Sequence, residues 1–156
     1  MPVIVLETII EAPLERCFDL SRSVDLHMIS TAHTSEKAVA GICEGLIGPG
    51  QSVTWQARHF GVVQYLTSKI TEYERPHRFV DEMQQGIFKD FRHVHLFAVA
   101  GGSTLMKDIF DYTSPLGVIG GLVDRLFLKN YMTRLLIRRN EVIKHYAETI
   151  LWKDVL

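Results

Sequence analysis

Hydrophobic and polar positions alternate along much of the chain with a period of two residues, which is typical of half-buried β-strands. Strands of this type are predicted at about residues 3–12, 37–42, 51–60, 62–73, 78–85, 91–99 and 104–112. The later strands are joined by short connectors, such as Gly61 and the turn at residues 101–103. Short connectors between consecutive strands predict an antiparallel meander.

Two short helices are predicted between the first and second strands. Leu14, Cys17 and Phe18 share one face at helical spacing, which predicts a helix ending near Leu20. A second short helix is predicted at about residues 24–29.

The apolar pattern changes after Ser114 to steps of three and four residues, which indicates an amphipathic helix. Its apolar positions are Leu122, Leu126, Met132, Leu135, Leu136, Val142, Ile143 and Tyr146. A helix at about residues 120–148 would be roughly 40 Å long, enough to cross a domain and pack on the sheet. The expected fold is therefore α+β, with a curved antiparallel sheet of six or seven strands wrapped around a long C-terminal helix.

The same helix carries a series of basic residues with few acids between them. They are Arg125, Lys129, Arg134, Arg138, Arg139 and Lys144. Such a series predicts a solvent-exposed charged face, which also suits an acidic partner or an anionic lipid surface. No protein partner is assigned from it.

Length and composition indicate a single domain spanning residues 1–156. The chain has 156 residues, 47% of them hydrophobic, and a formal net charge of -1, which provides no field to attract nucleic acid. No stretch approaches the ~20 apolar residues of a membrane span. The two cysteines, Cys17 and Cys43, form no redox or zinc motif. We therefore predict a cytoplasmic protein without stable membrane insertion, nucleic-acid partner or cofactor.

The order of predicted elements is strand, two short helices, meander and long helix, and several short motifs accompany it. They are Gly48-Pro49-Gly50-Gln51, Thr54-Trp55, Arg58-His59-Phe60-Gly61, Phe79-Val80-Asp81-Glu82, His93-Val94-His95 and Pro115-Leu116-Gly117. With these features, essentially the whole chain resembles the SRPBCC superfamily, in particular a bacterial branch of its START-like and polyketide cyclase-like members. The resemblance implies a helix-grip fold with a deep, mostly apolar cavity. It also implies a small hydrophobic ligand, such as a lipid, a sterol-like molecule or an aromatic or polyketide-like compound.

The alternation within the strands predicts which side chains face the concave side of the sheet. His93 and His95 share a face with aromatic residues in one strand, and Asp108 shares a face with Met106 in the next. A mostly apolar face with a few polar groups is typical of a small-molecule pocket. The predicted ligand-binding residues are Trp55, His59, Met83, Phe91, His93, His95, Met106, Asp108, Phe110 and Tyr112.

Four residues of the predicted concave face, His93, His95, Asp108 and Asp81, are candidates for catalysis. A histidine paired with an aspartate can act as a general acid or base near neutral pH. The sequence favours a different interpretation, in which these groups form a hydrogen-bonded network that supports the sheet or orients a ligand. A His-x-His pair on a strand also occurs in metal sites, but no third ligand is established by the sequence, so no metal ion is assigned.

Three functions remain open from the sequence alone. The favoured function is a carrier or sensor that binds a small hydrophobic molecule. The second is a polyketide cyclase-like or dehydratase-like enzyme, with His93 or His95 as the base and Asp108 or Asp81 as the residue that orients it. The third is a protein-interaction module whose cavity is vestigial.

Overall fold

The computed structural model describes residues 2–114 and 127–156, and within them seven strands form one antiparallel sheet. The strands are β1 (Val3–Ile10), β2 (Lys37–Gly41), β3 (Ser52–His59), β4 (Val62–Glu74), β5 (Arg78–Gln85), β6 (Asp90–Ala100) and β7 (Ser103–Thr113). Their order across the sheet is β1-β7-β6-β5-β4-β3-β2, so β2 to β7 form a meander and β1 pairs with β7. The predicted strands and meander are confirmed, with strand ends that differ by at most two residues.

Three α-helices accompany the sheet in the described ranges. They are α1 (Leu14–Ser21), α2 (Val24–Ser30) and α3 (Lys129–Glu148), with 3-10 turns at Ala32–Thr34 and Ile150–Asp154. The Ser23 side chain caps α2 by accepting a hydrogen bond from the backbone N–H of Leu26. The predicted long helix is present as α3, and its predicted first part, residues 120–126, lies outside the described residues. None of the described helices combines the length and apolarity needed to cross a membrane.

The pairing of β5, β6 and β7 brings the polar residues of the sheet into one row. Asp81 of β5 is opposite His93 of β6, and Phe79 is opposite His95. His95 is in turn opposite Asp108 of β7. Because β6 and β7 pair without a register shift along the whole of β6, the predicted alternation of faces is preserved there.

Within residues 2–114 and 127–156, two hydrophobic clusters form the core. In the first cluster, the ring of Phe18 on α1 is fully buried and meets the rings of Phe79 and Phe97 edge-on, each at a centroid separation of 5.3 Å. Burial of a phenylalanine side chain stabilises the fold by about 1.5–3 kcal/mol. The second cluster consists of Ile4, Phe88, Phe91, Phe110, Tyr112 and Leu136.

Helix α3 spans both clusters and places polar side chains between them. Leu136 packs in the second cluster, whereas Ile143 and Ala147 pack in the first. Arg139 and Asn140 are both buried, because they follow Leu136 by three and four residues and so lie on its side of the helix. Arg139 and Asn140 therefore face the row of polar residues that β5, β6 and β7 form in the sheet.

Candidate functional site

A cavity of about 230 Å³ is bounded by the sheet, by the region of α1 and α2, and by α3. The apolar part of its wall includes Trp55, Ile70, Phe91, Phe110, Met132 and Leu136. Two groups of polar side chains from the described part of the chain adjoin it. The first, the His–Asp cluster, comprises Asp81, His93, His95, Asp108, Arg139 and Asn140. The second, the Glu36 group, comprises His27, Glu36, His59 and Tyr131.

The two imidazoles of the His–Asp cluster lie side by side. The rings of His93 and His95 have their centroids 3.8 Å apart, because residues two apart on a strand project to the same face. One edge of this pair faces Asp108. His93 Nε2 donates to Asp108 Oδ1 at 2.9 Å, and His95 Nδ1 is 3.2 Å from the same oxygen. The opposite edge faces Asp81, whose Oδ1 is 2.7 Å from His95 Nε2 and 3.9 Å from His93 Nδ1.

Helix α3 anchors the buried carboxylate of Asp108. Asn140 Nδ2 donates to Asp108 Oδ2 at 2.7 Å, and Arg139 Nη1 donates to Oδ1 at 3.4 Å. The guanidinium of Arg139 also donates to Asn140 Oδ1 at 2.9 Å and to the carbonyl oxygen of Ser21 at 3.2 Å. A fully buried carboxylate is tolerated only with charged or hydrogen-bonding partners, and these contacts provide both.

Burial and neighbouring groups set the ionisation of the cluster. Burial lowers the pKa of His93 to about 4, and His95 acts in the same direction, against the hydrogen bond to Asp108. Burial alone would raise the pKa of Asp108, but hydrogen bonds from both histidines and the charge of Arg139 hold it well below its usual range. The pKa of Asp81 is also lowered, because the hydrogen bond from His95 and nearby positive charge outweigh burial. At neutral pH, His93 is therefore neutral and both carboxylates are ionised.

The Glu36 group adds a second polar region to the cavity wall. Glu36 Oε1 accepts a hydrogen bond from His27 Nε2 at 2.6 Å, and the ring of His27 packs against Trp55 with centroids 4.2 Å apart. His59 Nδ1 and the Tyr131 hydroxyl share a hydrogen bond of 2.5 Å. Burial would raise the pKa of Glu36, but the charge and hydrogen bond of His27 lower it overall. The cavity wall thus includes a second ionised carboxylate, on the side of β3.

Comparison with known proteins identifies the architecture. No family model matches the chain, and no curated protein matches its sequence. Among solved structures, the KanY protein has a TM-score of 0.72 at 14% identity, covering 95% of this chain and 98% of its own. TTHA0849 from Thermus thermophilus has a TM-score of 0.70 at 20% identity, covering 91% and 97%. The ginseng major latex-like protein 151 from Panax ginseng has a TM-score of 0.69 at 13% identity, covering 95% and 98%.

The chain has the helix-grip fold. The helix-grip fold that the resemblance to the SRPBCC superfamily implies is confirmed, and identities of 13% to 20% show the fold alone. The helix-grip arrangement accounts for the cavity, because the sheet curves around the long helix and leaves space between them. The side chains that line the cavity, and not the fold, determine what it binds.

Several predicted ligand-binding residues line the cavity of this helix-grip domain, together with Asp81. They are Trp55, His59, Phe91, His93, His95 and Phe110. The other four lie outside the lining formed by the described residues. Asp108 is behind the two imidazoles, and Met83 packs against the second hydrophobic cluster.

Met106 and Tyr112 are on the predicted face of β7 but are covered by other core residues. The thioether of Met106 lies 3.4 Å from the hydroxyl oxygen of Ser21 at the end of α1. The ring of Tyr112 packs against Phe88 with centroids 5.3 Å apart. Both residues are fully buried. A residue can therefore share the concave face and still be separated from the cavity by a neighbouring element.

Sequence reasoning missed the contribution of α3 to the polar cluster. Arg139 is expected on a solvent-exposed basic face, and this expectation is wrong, since the residue is only 7% exposed. A signal was available, because Arg139 and Asn140 fall within the stripe of Leu136 and Ile143 at three- and four-residue steps. His27, Glu36 and Tyr131 also lack a sequence pattern that would bring them together.

Proposed function

We propose that the protein binds a compact hydrophobic molecule with a polar group and acts as its carrier or sensor. The main support is the mixed lining of one cavity. Aromatic and aliphatic side chains form much of the wall, and Asp81, His95 and Arg139 contribute polar groups to it. In such sites the apolar wall supplies most of the affinity, and a few polar groups fix the orientation of the ligand.

The size of the cavity favours a ligand with few rings. Its volume of about 230 Å³ lies below the ~300–1,000 Å³ of sites for drug-sized ligands. Trp55, Phe91 and Phe110 offer ring faces or edges that suit an aromatic ligand. Among the ligand classes that the resemblance implies, a small aromatic or polyketide-like molecule therefore fits better than a sterol or a long-chain lipid.

An unpaired acceptor in the cavity wall supports a ligand with a hydrogen-bond donor. The side-chain oxygen of Gln64 is buried, and among the described residues it has no hydrogen-bond partner. Gln64 also lines the cavity. Because buried polar atoms in folded proteins are nearly always hydrogen-bonded, a hydroxyl or amine group of the ligand is a suitable partner.

An enzyme is the second candidate, because the hydrogen bond between His93 and Asp108 resembles that of an oriented general base. The pKa of His93, lowered by burial to about 4, makes this residue a weak base at neutral pH. A general base works best when its pKa is near the working pH. His93 is therefore disfavoured as the base of cyclase-like or dehydratase-like chemistry, which leaves His95 as the candidate base of the second function.

Native mass spectrometry of freshly purified protein, followed by solvent extraction, tests the proposal directly. The same protein is then titrated with hydroxylated naphthalenes and anthraquinones, a fatty acid and a sterol, with quenching of Trp55 fluorescence as the readout. A Trp152→Phe background leaves Trp55 as the only tryptophan. We expect the aromatic compounds to bind one per chain and more tightly than the fatty acid or sterol, with their masses unchanged after incubation.

A matched pair of variants separates cavity binding from surface binding. Ala57→Phe adds a ring inside the cavity, whereas Ala98→Phe adds the same ring at an exposed position. We expect Ala57→Phe to weaken binding at least tenfold and Ala98→Phe to leave it unchanged. Equal affinities in the two variants, or a protein that carries no adduct and binds no compound of the panel, would contradict the proposal. A mass change in the bound compound that His95→Gln abolishes would favour the enzyme.

A further inference from the structure

We propose that Asp81, His93 and His95 form a binding site for a divalent first-row transition-metal ion, with Zn²⁺ as the ion to which the site is best suited. Each residue offers one ligand atom, and the three atoms lie within 4.8 Å of one another. Two imidazole nitrogens and one carboxylate oxygen are a ligand set of zinc and non-haem iron sites that keep open coordination positions. This site would exist whether or not the cavity binds a hydrophobic molecule.

The three ligand atoms converge on the Asp81 edge of the paired imidazoles. His95 Nε2 is 2.7 Å and His93 Nδ1 is 3.9 Å from Asp81 Oδ1. In a tetrahedral site with bonds of about 2.0–2.1 Å, neighbouring ligand atoms are roughly 3.4 Å apart. The two separations lie on either side of this value, and the two nitrogens are within 4.8 Å of each other, so changes of roughly 0.5–1.5 Å in these separations bring all three atoms around one ion.

Asp108 lies at the opposite edge of the two imidazoles, where it can accept hydrogen bonds from the ring nitrogens that do not bind the ion. His93 Nε2–H donates a hydrogen bond to Asp108 Oδ1, which leaves Nδ1 as an acceptor that faces Asp81. Without an ion, His95 Nε2 donates to Asp81 Oδ1. An ion at this edge would displace that proton, and Nδ1, 3.2 Å from Asp108 Oδ1, can take up a proton and donate it to this oxygen in a hydrogen bond. Metal-binding histidines usually donate their other N–H to a carboxylate or carbonyl group. In this tautomer the lone pairs of His93 Nδ1 and His95 Nε2 and the carboxylate of Asp81 converge, and together they can coordinate a cation.

The charges around the site also favour a cation. The cluster contains two acidic side chains, Asp81 and Asp108, and one guanidinium, that of Arg139, so its formal charge is negative. Arg139 approaches the edge of the rings that faces Asp108, where its Nη1 is 3.4 Å from Asp108 Oδ1. Its guanidinium also lies 3.4 Å from His95 Nδ1, so Arg139 contacts the rings on the edge opposite Asp81.

The proposed site is open to the cavity on its free side. Asp81, His93 and His95 all line the cavity, and the Asp81 side chain is 20% exposed. The remaining coordination positions of the ion would face this space, where a carbonyl or hydroxyl oxygen of a small molecule can reach them. The pairing of β5 with β6 supplies the third ligand that the sequence alone did not establish.

The test uses the full chain after removal of metals with a chelator. A Cys43→Ser background is needed, because Cys43 is an exposed thiol that can bind zinc independently. Isothermal titration with zinc chloride should give one ion per chain, with a dissociation constant in the micromolar range or below. Titration with Co²⁺ should produce the visible absorption of a low-coordinate cobalt site, which reports on the ligand geometry directly.

Four variants assign the ligands. Asp81→Asn and His93→Gln remove one ligand each and should weaken Zn²⁺ binding at least 100-fold. Asp108→Asn alters only the residue behind the rings and should weaken binding about 10–100-fold. His27→Gln removes an imidazole that lines the same cavity but pairs with Glu36, so it should leave binding unchanged.

The shift in melting temperature on addition of Zn²⁺ is a second readout, which can be measured for each variant relative to its own zinc-free form. Zn²⁺ should raise the melting temperature of the parent and of His27→Gln, but not that of Asp81→Asn. Zn²⁺ binding that is equally tight in Asp81→Asn and His27→Gln would overturn the proposal, as would a stripped parent protein that binds no Zn²⁺ at submillimolar concentration. If that protein still binds the aromatic compounds, only the metal site is refuted; if it binds Zn²⁺ but none of the compounds, only the proposed carrier function is refuted.

Discussion

Asn140 of α3 donates a hydrogen bond of 2.7 Å to the carboxylate of Asp108 in β7, and both residues are buried. The bond connects the long helix to the centre of the sheet and satisfies Asp108 Oδ2, whereas the histidines contact Oδ1. The sheet and helix are thus joined by polar contacts as well as by the two hydrophobic clusters.

Removal of this hydrogen bond should destabilise the fold. Asn140→Ala leaves a buried carboxylate oxygen without its donor, which costs about 1–3 kcal/mol in the free energy of unfolding. Urea denaturation measures the loss. Asn130→Ala on an exposed turn of the same helix is the control and should change stability by less than about 0.5 kcal/mol. Similar losses in the two variants would mean that the buried bond adds nothing beyond helix propensity.

Two neighbouring arginines on α3 should respond very differently to loss of charge. Arg139→Met removes the guanidinium that faces Asp108 and leaves the buried carboxylate without its cation, at a cost of about 3–5 kcal/mol. Arg138→Met makes the same change at an exposed position and should cost less than about 0.5 kcal/mol. Chemical denaturation of both variants gives the comparison. A small effect of Arg139→Met would show that the histidines alone compensate Asp108.

The ion pairs of Asp19 should give the fold a measurable acid dependence. Its carboxylate contacts Arg22 at 2.9 Å and Arg75 at 2.6 Å. Burial would raise the pKa of Asp19, but hydrogen bonds from the two arginines lower it below its usual value. Because the folded pKa is the lower one, the pairs stabilise the protein above the unfolded pKa of about 3.9. This stabilisation is lost as the pH falls through the folded pKa.

Arg75→Gln tests this acid dependence. At pH 7 the variant should be less stable than the parent by about 1 kcal/mol, and the difference should shrink as the pH falls below about 4. Urea denaturation at several pH values measures it. Arg58→Gln is the control, because Arg58 donates to the carbonyl oxygen of Gly61 and not to an acid. A parent–variant difference that does not change with pH would assign the effect of Arg75 to packing.

Gly41 should tolerate a side chain less well than Gly101. Both glycines have positive φ, 73° and 63°, so alanine is strained at either position by roughly 1–2 kcal/mol. A Cβ at Gly41 would also lie 2.2 Å from the carbonyl oxygen of Ser52, whereas a Cβ at Gly101 meets open space. Gly41→Ala should therefore lower the melting temperature more than Gly101→Ala. Equal shifts would mean that the end of β2 moves away from β3 without cost.

The strands and their faces could be predicted because the relevant information is local. His93 and His95 alternate with their neighbours along β6, and no register shift intervenes before Asp108 of β7. The depth of each residue was not predictable in this way, because it depends on which element packs above the sheet. Met106 lies under the end of α1, and the sequence of β7 alone does not reveal this.

The polar cluster required information from distant parts of the chain. Arg139 is 31 residues from Asp108 and 118 from Ser21, yet it contacts both. Its charge predicts exposure, and its position on the apolar stripe predicts burial. The second signal was correct, because Asp108 provides a buried counter-charge that the helix sequence cannot show.

The polar pair of α3 also determines where the helix can lie along the sheet. Arg139 and Asn140 are flanked by Leu136 and Ile143, which lie one turn away in either direction. A slide of one turn, roughly 5.4 Å, would bring an apolar side chain opposite Asp108 and leave its carboxylate unpaired. Hydrophobic contacts alone would tolerate several such positions, because leucine and isoleucine pack in many arrangements. The buried carboxylate of Asp108 therefore selects one position of α3 along the sheet, and with it one shape of the cavity.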